Sequence, residues 1–399
     1  YRPGCPAFKV REEVPEVQIE KEVYEYLGLK EEKRHLELKI NELSKAIKES
    51  TGHAGWDKKR GQKESNRGIG LACGGFVSGA RIGGHTASGS NIQVNEDGSV
   101  TVLTGSSDLG QGSRTVIAQV AAQELGLDAS DIAVISGDTE TTPIDAGTFS
   151  SRVTFYAGNA TMLAAREVKA QLAQVAAEQM EANVEDIVFE DKKVFVKGSP
   201  DRFIPFGKLA KMAESLGQGS LIMGKGYWAP PNTQFPDKKT QYGNVSGAYS
   251  FACQVAEVEV DPETGQVKVL NITIGDDCGQ VVNMLGAEGQ AEGSAAMGLG
   301  QALMENIIFA KNGQIMNPSF LEYKIPTAKD VSDVTTLEVG SPDPIGPYGA
   351  KEIGEGLLIS TVPAITNAIY DAVGVRITEL PVTPEKILKE LEKRKRGER

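Results

Sequence analysis

Histidine and cysteine, the side chains that most often hold a metal, are scarce in this sequence: three and four in 399 residues. His35, His53 and His85 are too scattered to form a metal site by spacing, and Cys5, Cys73, Cys253 and Cys278 include no Cys-x-x-Cys pair. That pattern speaks against a zinc or iron–sulfur site held by the chain itself and fits a reduced, cytoplasmic protein. No apolar run approaches the length of a membrane span. Positive charge is in deficit, with 42 Lys and Arg against 54 Asp and Glu. No basic, aromatic-interleaved stripe is present, which argues against nucleic acid as a partner. The densest basic run, Lys393-Arg394-Lys395-Arg396, is expected to be a solvated tail. Tyr1 opens the chain in place of methionine, and no signal-like apolar stretch follows it. A fragment, or one processed piece of a longer enzyme, is therefore expected.

What is present reads as globular: 40% hydrophobic and 24% charged residues, with 45 glycines spread over many loops. Residues 10–50 predict two helices, one opened by Pro15 with Ile19, Val23 and Leu27 on one face, the other carrying Ile40, Leu43 and Ile47. Residues 51–67 read as a polar linker. Alternating segments around Asp97-Gly98 and around Asp261-Pro262-Glu263-Thr264-Gly265 predict two long hairpins, with shorter ones turning at Asp191-Lys192 and Asn312-Gly313. Alanine-rich helices are expected over Ser113–Leu125, Ala157–Glu181, Gly286–Glu305 and Leu357–Val373. Mixed helices and β-hairpins without regular βαβ alternation favour an α+β fold. Each long hairpin runs into a glycine-rich loop and then a helix, which hints at a duplicated plan.

Four glycine-rich loops could carry chemistry. The first, Gly105 to Arg114 with Gly110-Gln111-Gly112 at its centre, precedes a helix and could present backbone N–H groups to an anion, or it is a plain strand-to-helix turn. It lacks the Gly-Lys-Ser/Thr ending of a P-loop. The second, Asp145 to Thr154, sets hydroxyls beside an arginine in Ser150-Ser151-Arg152. These residues suit a phosphate or carboxylate, or a serine there caps the next helix. The third runs from Asp276 to Gly293; Gln290 could read a polar heterocycle, while Gly289, Gly293, Gly298 and Gly300 would allow close helix packing. The fourth runs from Gly349 to Gly356. Its Glu355, just before a helix, is either a general base or an acid stabilised by the helix dipole.

Taken in order, Gly110-Gln111-Gly112, Gly137-Asp138-Thr139, Ser151-Arg152, Glu257 to Asp261, Asp277 with Gly279, Glu288-Gly289-Gln290 with Gly293, Tyr323 to Pro326 and Lys351 to Glu355 resemble the large, molybdenum-binding subunit of the xanthine oxidase family. The resemblance runs from about Arg2 to Ile387. It implies the C-terminal molybdopterin-binding domains of such a subunit, with residues 1–67 the tail of the first cofactor-binding domain plus a helical linker, and 68–399 the second. It implies a molybdenum–molybdopterin cofactor in the cytosine dinucleotide form, which would explain why the chain itself supplies no metal ligands. By matching positions, Gly110, Gln111, Gly112, Ser150, Ser151, Arg152 and Gln290 would contact the cofactor. Glu355 would be the base that takes a proton at the metal, and Arg2 and Phe149 would lie on the substrate side. Partners implied are an N-terminal molybdenum-domain chain or missing half, a [2Fe–2S] subunit, and FAD on a further subunit.

The loop at Glu355 departs from the family pattern twice: Glu352 stands where a small residue is common, and Gly356 where proline is common. Glu352 is thus a rival carboxylate. Gly147 to Thr154, Ala248-Tyr249-Ser250-Phe251 and the Glu355 loop look most like the large subunit of 4-hydroxybenzoyl-CoA reductase, which implies reductive removal of a phenolic hydroxyl. The alternatives are hydroxylation of an N-heteroaromatic, purine or aldehyde substrate by the same cofactor, or a non-catalytic assembly subunit.

Overall fold

The computed structural model describes residues 30–60, 66–81, 87–216, 221–231, 233–240 and 242–397. Arg2, Cys5, the Pro15 helix and His85 lie outside the described residues. Helix α1 (Lys30–Ala54) opens the described part. From Glu42 onward the chain forms one compact unit, and the architecture below is that of this unit. The stretch read as a linker is helical to Ala54, makes a helical turn at Trp56–Lys59, and leads into strand β1 (Arg67–Val77).

Local turn chemistry builds both long hairpins. Strands β2 (Ser88–Val94) and β3 (Val100–Thr104) pair antiparallel. The Asp97 carboxylate accepts from Ser99 N (2.9 Å) and Gly98 takes a positive φ of 86°, a conformation that glycine adopts freely. The sheet around this hairpin has the order β4-β3-β2-β8, where β4 (Ile132–Ser136) lies parallel to β3 and β8 (Met223–Trp228) antiparallel to β2. Helix α2 (Ser113–Leu125) makes the crossover from β3 to β4, and α3 (Val153–Met180) follows. The small sheet β5 (Ile187–Glu190), β6 (Lys193–Val196) and β7 (Phe203–Pro205) and helix α4 (Phe206–Leu216) complete this lobe. Its core joins Ile92, Val102, Ile117, Leu172 and Leu209.

The second lobe repeats the plan. Strands β9 (Tyr249–Val260) and β10 (Val267–Asp277) form the hairpin, its turn pinned by Asp261, which accepts from Glu263 N and Thr264 Oγ1 at 2.8 Å. Helix α5 (Met284–Leu303) lies in the crossover to β11 (Asp333–Glu338), parallel to β10, and α6 (Glu355–Val373) follows. The order β1-β9-β10-β11 matches β8-β2-β3-β4 strand for strand. The duplication is displaced by one strand: the flanking strand comes last in the first lobe but first in the chain for the second.

The two flanking strands share a device. An added Cβ at Gly224 or Gly226 in β8 would lie 2.1 and 1.8 Å from the carbonyl oxygens of Ala164 and Ala160 in α3. At Gly68 or Gly70 in β1 it would lie 2.2 and 2.1 Å from backbone atoms of Ala368 in α6. In each lobe a Gly-x-Gly strand lets the backbone of an alanine-bearing helix rest on the sheet, where no side chain fits. Helix α6 is long and apolar enough to cross a bilayer by length and composition. Its Leu357, Ala364, Ile365 and Ile369 are buried in the second core beside Val258 and Ile274, so that apolarity serves packing.

The C-terminal basic run is solvated as expected, with Arg394, Lys395 and Arg396 exposed, but it is helical rather than a loose tail. It ends helix α7 (Pro384–Lys395), whose Ile387 is buried. Arg394 Nη1 donates to Val373 O at 2.5 Å, satisfying a carbonyl at the end of α6.

Candidate active site

The four glycine-rich loops meet. Thr148 Oγ1 of the second donates to Ser107 O of the first (2.7 Å). Ser151 Oγ of the second lies 3.0 Å from Glu355 Oε2 of the fourth and accepts from Glu355 N at 3.0 Å. The third joins the fourth through Gln280 N to Gly349 O (2.9 Å) and Lys351 N to Cys278 O (2.7 Å). It joins α2 through Asn283 Nδ2 to Gln119 Oε1 (3.0 Å), while Asn283 Oδ1 caps α5 by accepting from Gly286 N. Residues far apart in sequence thus form one patch because both hairpins deliver their loops to it.

In the first loop, Asp108 accepts from the N–H groups of Gly110, Gly112 and Arg114. Partial burial raises its carboxyl, but these donors prevail and hold it below the usual range. The start of α2 is therefore capped from within the loop. Gln111 is half-buried; its Oε1 accepts from Leu109 N (2.5 Å) and its Nε2 donates to Ser107 O (3.1 Å). A Cβ added at Gly110 or Gly112 meets nothing within 4 Å.

The second loop is strained and clamped. Ser150 and Ser151 both take left-handed backbone, at φ 50° and 48°, which costs about 1–3 kcal/mol for each non-glycine residue. Arg152 does the clamping. Its side chain is 2% exposed and so is that of Asp145, 3.0 Å away. Nη2 donates to Ala87 O (2.9 Å) and Ser88 Oγ (3.2 Å), and the guanidinium lies over Tyr156 at 4.4 Å and Phe149 at 5.5 Å. The sequence pattern points Arg152 toward a ligand beside the two serines. It faces inward instead, with Nη1 and Nη2 committed to protein acceptors, and Phe149 packs on it.

The third loop leads into α5. Gln290 is half-buried, and Glu288, Gly289, Glu292 and Gly293 around it are exposed. The four helix glycines divide: Gly298 sits against Thr361 of α6 and Gly300 against Pro326, as close packing requires, whereas Gly289 and Gly293 face open space. Beneath the loop, Cys278 Sγ and carboxylate oxygens of Asp276 and Glu338 gather within 4.8 Å of one another, the one such gathering of metal-ligating side chains found among the described residues. Cys278 donates to Glu338 (3.2 Å), and burial pushes its thiol and the Asp276 carboxyl well up. Asp276 Oδ2, by contrast, is buried with no hydrogen-bond partner among the described residues.

The fourth loop holds two unlike carboxylates. Glu355 is exposed at the first turn of α6. Glu352 is buried; it accepts from Ser250 Oγ and from Gly354 N (2.9 Å), and its own N–H donates to Ser78 Oγ (3.1 Å). Burial pushes its carboxyl up to about 7, against hydrogen bonds from Ser250, Ser151 and the N–H groups of Gly354 and Gly356. A Cβ at Gly356 would lie 2.3 Å from Glu352 Oε1. The two departures of this loop from the family pattern are thus one feature: the buried carboxylate occupies the space that glycine leaves. Lys351, also buried, lies 2.5 Å from Asp277 and 3.6 Å from Glu42 of α1; burial raises the Glu42 carboxyl to about 7. The motif segments include Asp145, Ser250, Asp277 and Lys351, but nothing in them shows that Asp145 pairs with Arg152, Ser250 with Glu352, or Lys351 with Asp277.

Known proteins resemble this chain in sequence and fold. The family model for the molybdopterin cofactor-binding domain matches residues 46–332. The chain is 30% identical over 342 residues to the xanthine dehydrogenase molybdenum-binding subunit of Escherichia coli O157:H7, covering 84% of this chain and 44% of that protein. It is 32% identical over 359 residues to subunit gamma of the 6-hydroxypseudooxynicotine dehydrogenase complex of Paenarthrobacter nicotinovorans, covering 88% and 43%. The structure of quinoline 2-oxidoreductase from Pseudomonas putida 86 superposes with a TM-score of 0.74 at 28% identity, over 92% of this chain and 45% of that one. The chain spans less than half the length of these relatives.

Proposed function

Because the chain belongs to the molybdopterin cofactor-binding domain family, we propose that it is the cofactor-binding half of a xanthine oxidase-type large subunit, with Glu355 as its catalytic carboxylate. The observation that carries this reading is the convergence of the four loops on an exposed Glu355. The chain's surface fits such a cofactor. Gly110, Gly112, Gly289 and Gly293 leave open space where a side chain would project, and Gln111 and Gln290 stand half-buried beside them.

In this reading Gly110, Gln111, Gly112 and Gln290 hold the pterin. Ser150 and Ser151 border it, held in place by Arg152 and Asp145. The bound molybdenum–pterin group would supply the two-electron redox chemistry at the substrate carbon. The chain's own part is to orient that group and to take a proton at Glu355, which stands at the start of α6, the end of a helix dipole that favours negative charge. The cytosine dinucleotide form of the cofactor, a cytoplasmic setting, an N-terminal molybdenum-domain partner or missing half, a [2Fe–2S] subunit and a flavin subunit belong to the same proposal. Its substrate is aromatic, with 4-hydroxybenzoyl-CoA the specific candidate: the segments carrying that likeness, around Ser150-Ser151 and Ser250, both reach the Glu352–Glu355 loop.

The test is Glu355→Gln in the native complex. Molybdenum content should stay near one atom per chain and turnover should be nearly abolished. Surviving activity, with Glu352→Gln inactive instead, would transfer the role to Glu352.

A further inference from the structure

Burying a carboxylate is costly unless it is paired or hydrogen-bonded, yet Glu352 is buried three residues before Glu355 and no cation among the described residues forms an ion pair with it. The charged groups facing it are acidic: Asp276 of β10 and, across Ser151, Glu355. The Lys351 ammonium beside it is committed to Asp277 and Glu42. Ser78, Ser250 and Phe76, which also line it, carry no charge.

Ser151 is placed between the two carboxylates. Its hydroxyl lies 3.0 Å from Glu355 Oε2, accepts from Glu355 N at 3.0 Å, and sits near enough to Glu352 to help hold that carboxyl down against burial. A Cβ on Gly354 would fall 2.9 Å from Ser151 Oγ and 3.8 Å from Glu352 Oε2, so hydroxyl and carboxylate flank the same glycine. A hydroxyl has one hydrogen and two lone pairs. One lone pair takes the Glu355 N–H, leaving one lone pair and the hydrogen for the two carboxylates.

We propose that Glu352 is the proton reservoir of this site, exchanging a proton with Glu355 through the Ser151 hydroxyl. The step balances without electron transfer. Protonated Glu355 gives its proton to Ser151 Oγ as the Ser151 hydrogen passes to Glu352, which restores the Glu355 carboxylate and leaves Glu352 neutral. A carboxyl pushed up to about 7 by burial can hold that proton and release it near neutral pH. Glycine at position 356 makes the reservoir possible, since any side chain there would displace Glu352 Oε1. The inference rests on the reading of Glu355 as base.

Four variants of the native complex, Glu352→Gln, Glu352→Asp, Ser151→Gly and Glu355→Gln, would be followed by infrared pH titration and by the pH profile of turnover. Ser151→Gly removes the hydroxyl while glycine keeps the left-handed backbone without strain. A protonated-carboxyl band titrating near neutrality is expected in the wild type and in Glu355→Gln, with or without cofactor, and not in Glu352→Gln. Turnover should fall about 100-fold in both Glu352→Gln and Ser151→Gly, the low end for a placed proton-transfer group, with KM unchanged and the near-neutral limb lost. Glu352→Asp should restore part of it. The relay is overturned if the band survives in Glu352→Gln, or if Ser151→Gly keeps the wild-type rate and pH profile; in the latter case Glu352 only shapes the loop. Should Glu352→Gln fail to fold, Ser151→Gly decides alone. Failure of the base assignment looks different, because Glu355→Gln would then remain active whatever Glu352 does.

Discussion

Asp145→Asn should destabilise this protein far more than a change of one atom type suggests. The substitution keeps the side chain's shape. The amide that replaces the carboxylate could still accept from Gly147 N, which lies 2.8 Å from Asp145 Oδ1, and still pair with Ser88 Oγ, which lies 2.5 Å from Oδ2. What the change removes is the charge opposite Arg152, 3.0 Å away, with both side chains 2% exposed. A surface pair of this kind would contribute about 1 kcal/mol or less. Leaving a buried cation unpaired costs about 3–5 kcal/mol, a large part of a typical stability of about 5–15 kcal/mol. Arg152→Met should cost a similar amount by orphaning Asp145. The double variant should lose less than the sum of the two by about 2 kcal/mol or more, since residues in one network do not act independently. Urea unfolding of the four proteins measures this cycle. Turnover should fall in Asp145→Asn as well, because the clamp holds Ser150 and Ser151 in a backbone they would otherwise leave. Additive losses, or an Asp145→Asn protein within about 1 kcal/mol of wild type, would refute the idea that this pair holds the loop.

Glycine substitutions should separate packing from cofactor contact. Gly226→Ala, which drives a Cβ into the Ala160 carbonyl, should cost at least about 1–3 kcal/mol in thermal or urea unfolding. Gly289→Ala, in open space within α5, should leave stability unchanged or raise it by up to about 1 kcal/mol while lowering the molybdenum-to-protein ratio. Glu352 also sets a pH dependence of stability. Its carboxyl is raised from 4.5 to about 7 on folding, so its contribution is full below 4.5 and is lost as pH rises through 7. Glu352→Gln should therefore gain stability relative to wild type between about pH 5 and pH 8, by up to about 3 kcal/mol. Unfolding midpoints of the two proteins across that range provide the measurement.

The hairpins were legible because Asp97-Gly98 and Asp261 to Gly265 fix their turns locally, and α2, α3, α5 and α6 because alanine-rich runs announce helices. The flanking strands were not. Arg67–Val77 and Met223–Trp228 are broken by the glycines that let helices rest on them, so they lack the side chains by which strands are read. The convergence of the loops followed from their order, but the roles inside the site did not. Arginine is rarely fully buried, so nothing in Ser150-Ser151-Arg152 announces that its guanidinium turns inward to Asp145. Nor does local sequence say which carboxylate of Glu352 and Glu355 is exposed, because Phe76, Ser78, Ser151 and Ser250 bury the former from three other parts of the chain.

The displaced duplication has a consequence for how the protein is made. All the strands of the first lobe, β2 to β8, lie in one continuous segment, which can close as soon as it has been synthesised. Strand β1 emerges earlier yet pairs with β9 (Tyr249–Val260) and lies under α6 (Glu355–Val373), so it stays unpaired until β9 is made and uncovered until α6 is made. Pairings of such long range form slowly, and an unpaired strand edge invites association with other chains. A ribosome stalled before α6 would thus release a finished first lobe still carrying an uncovered, glycine-rich strand.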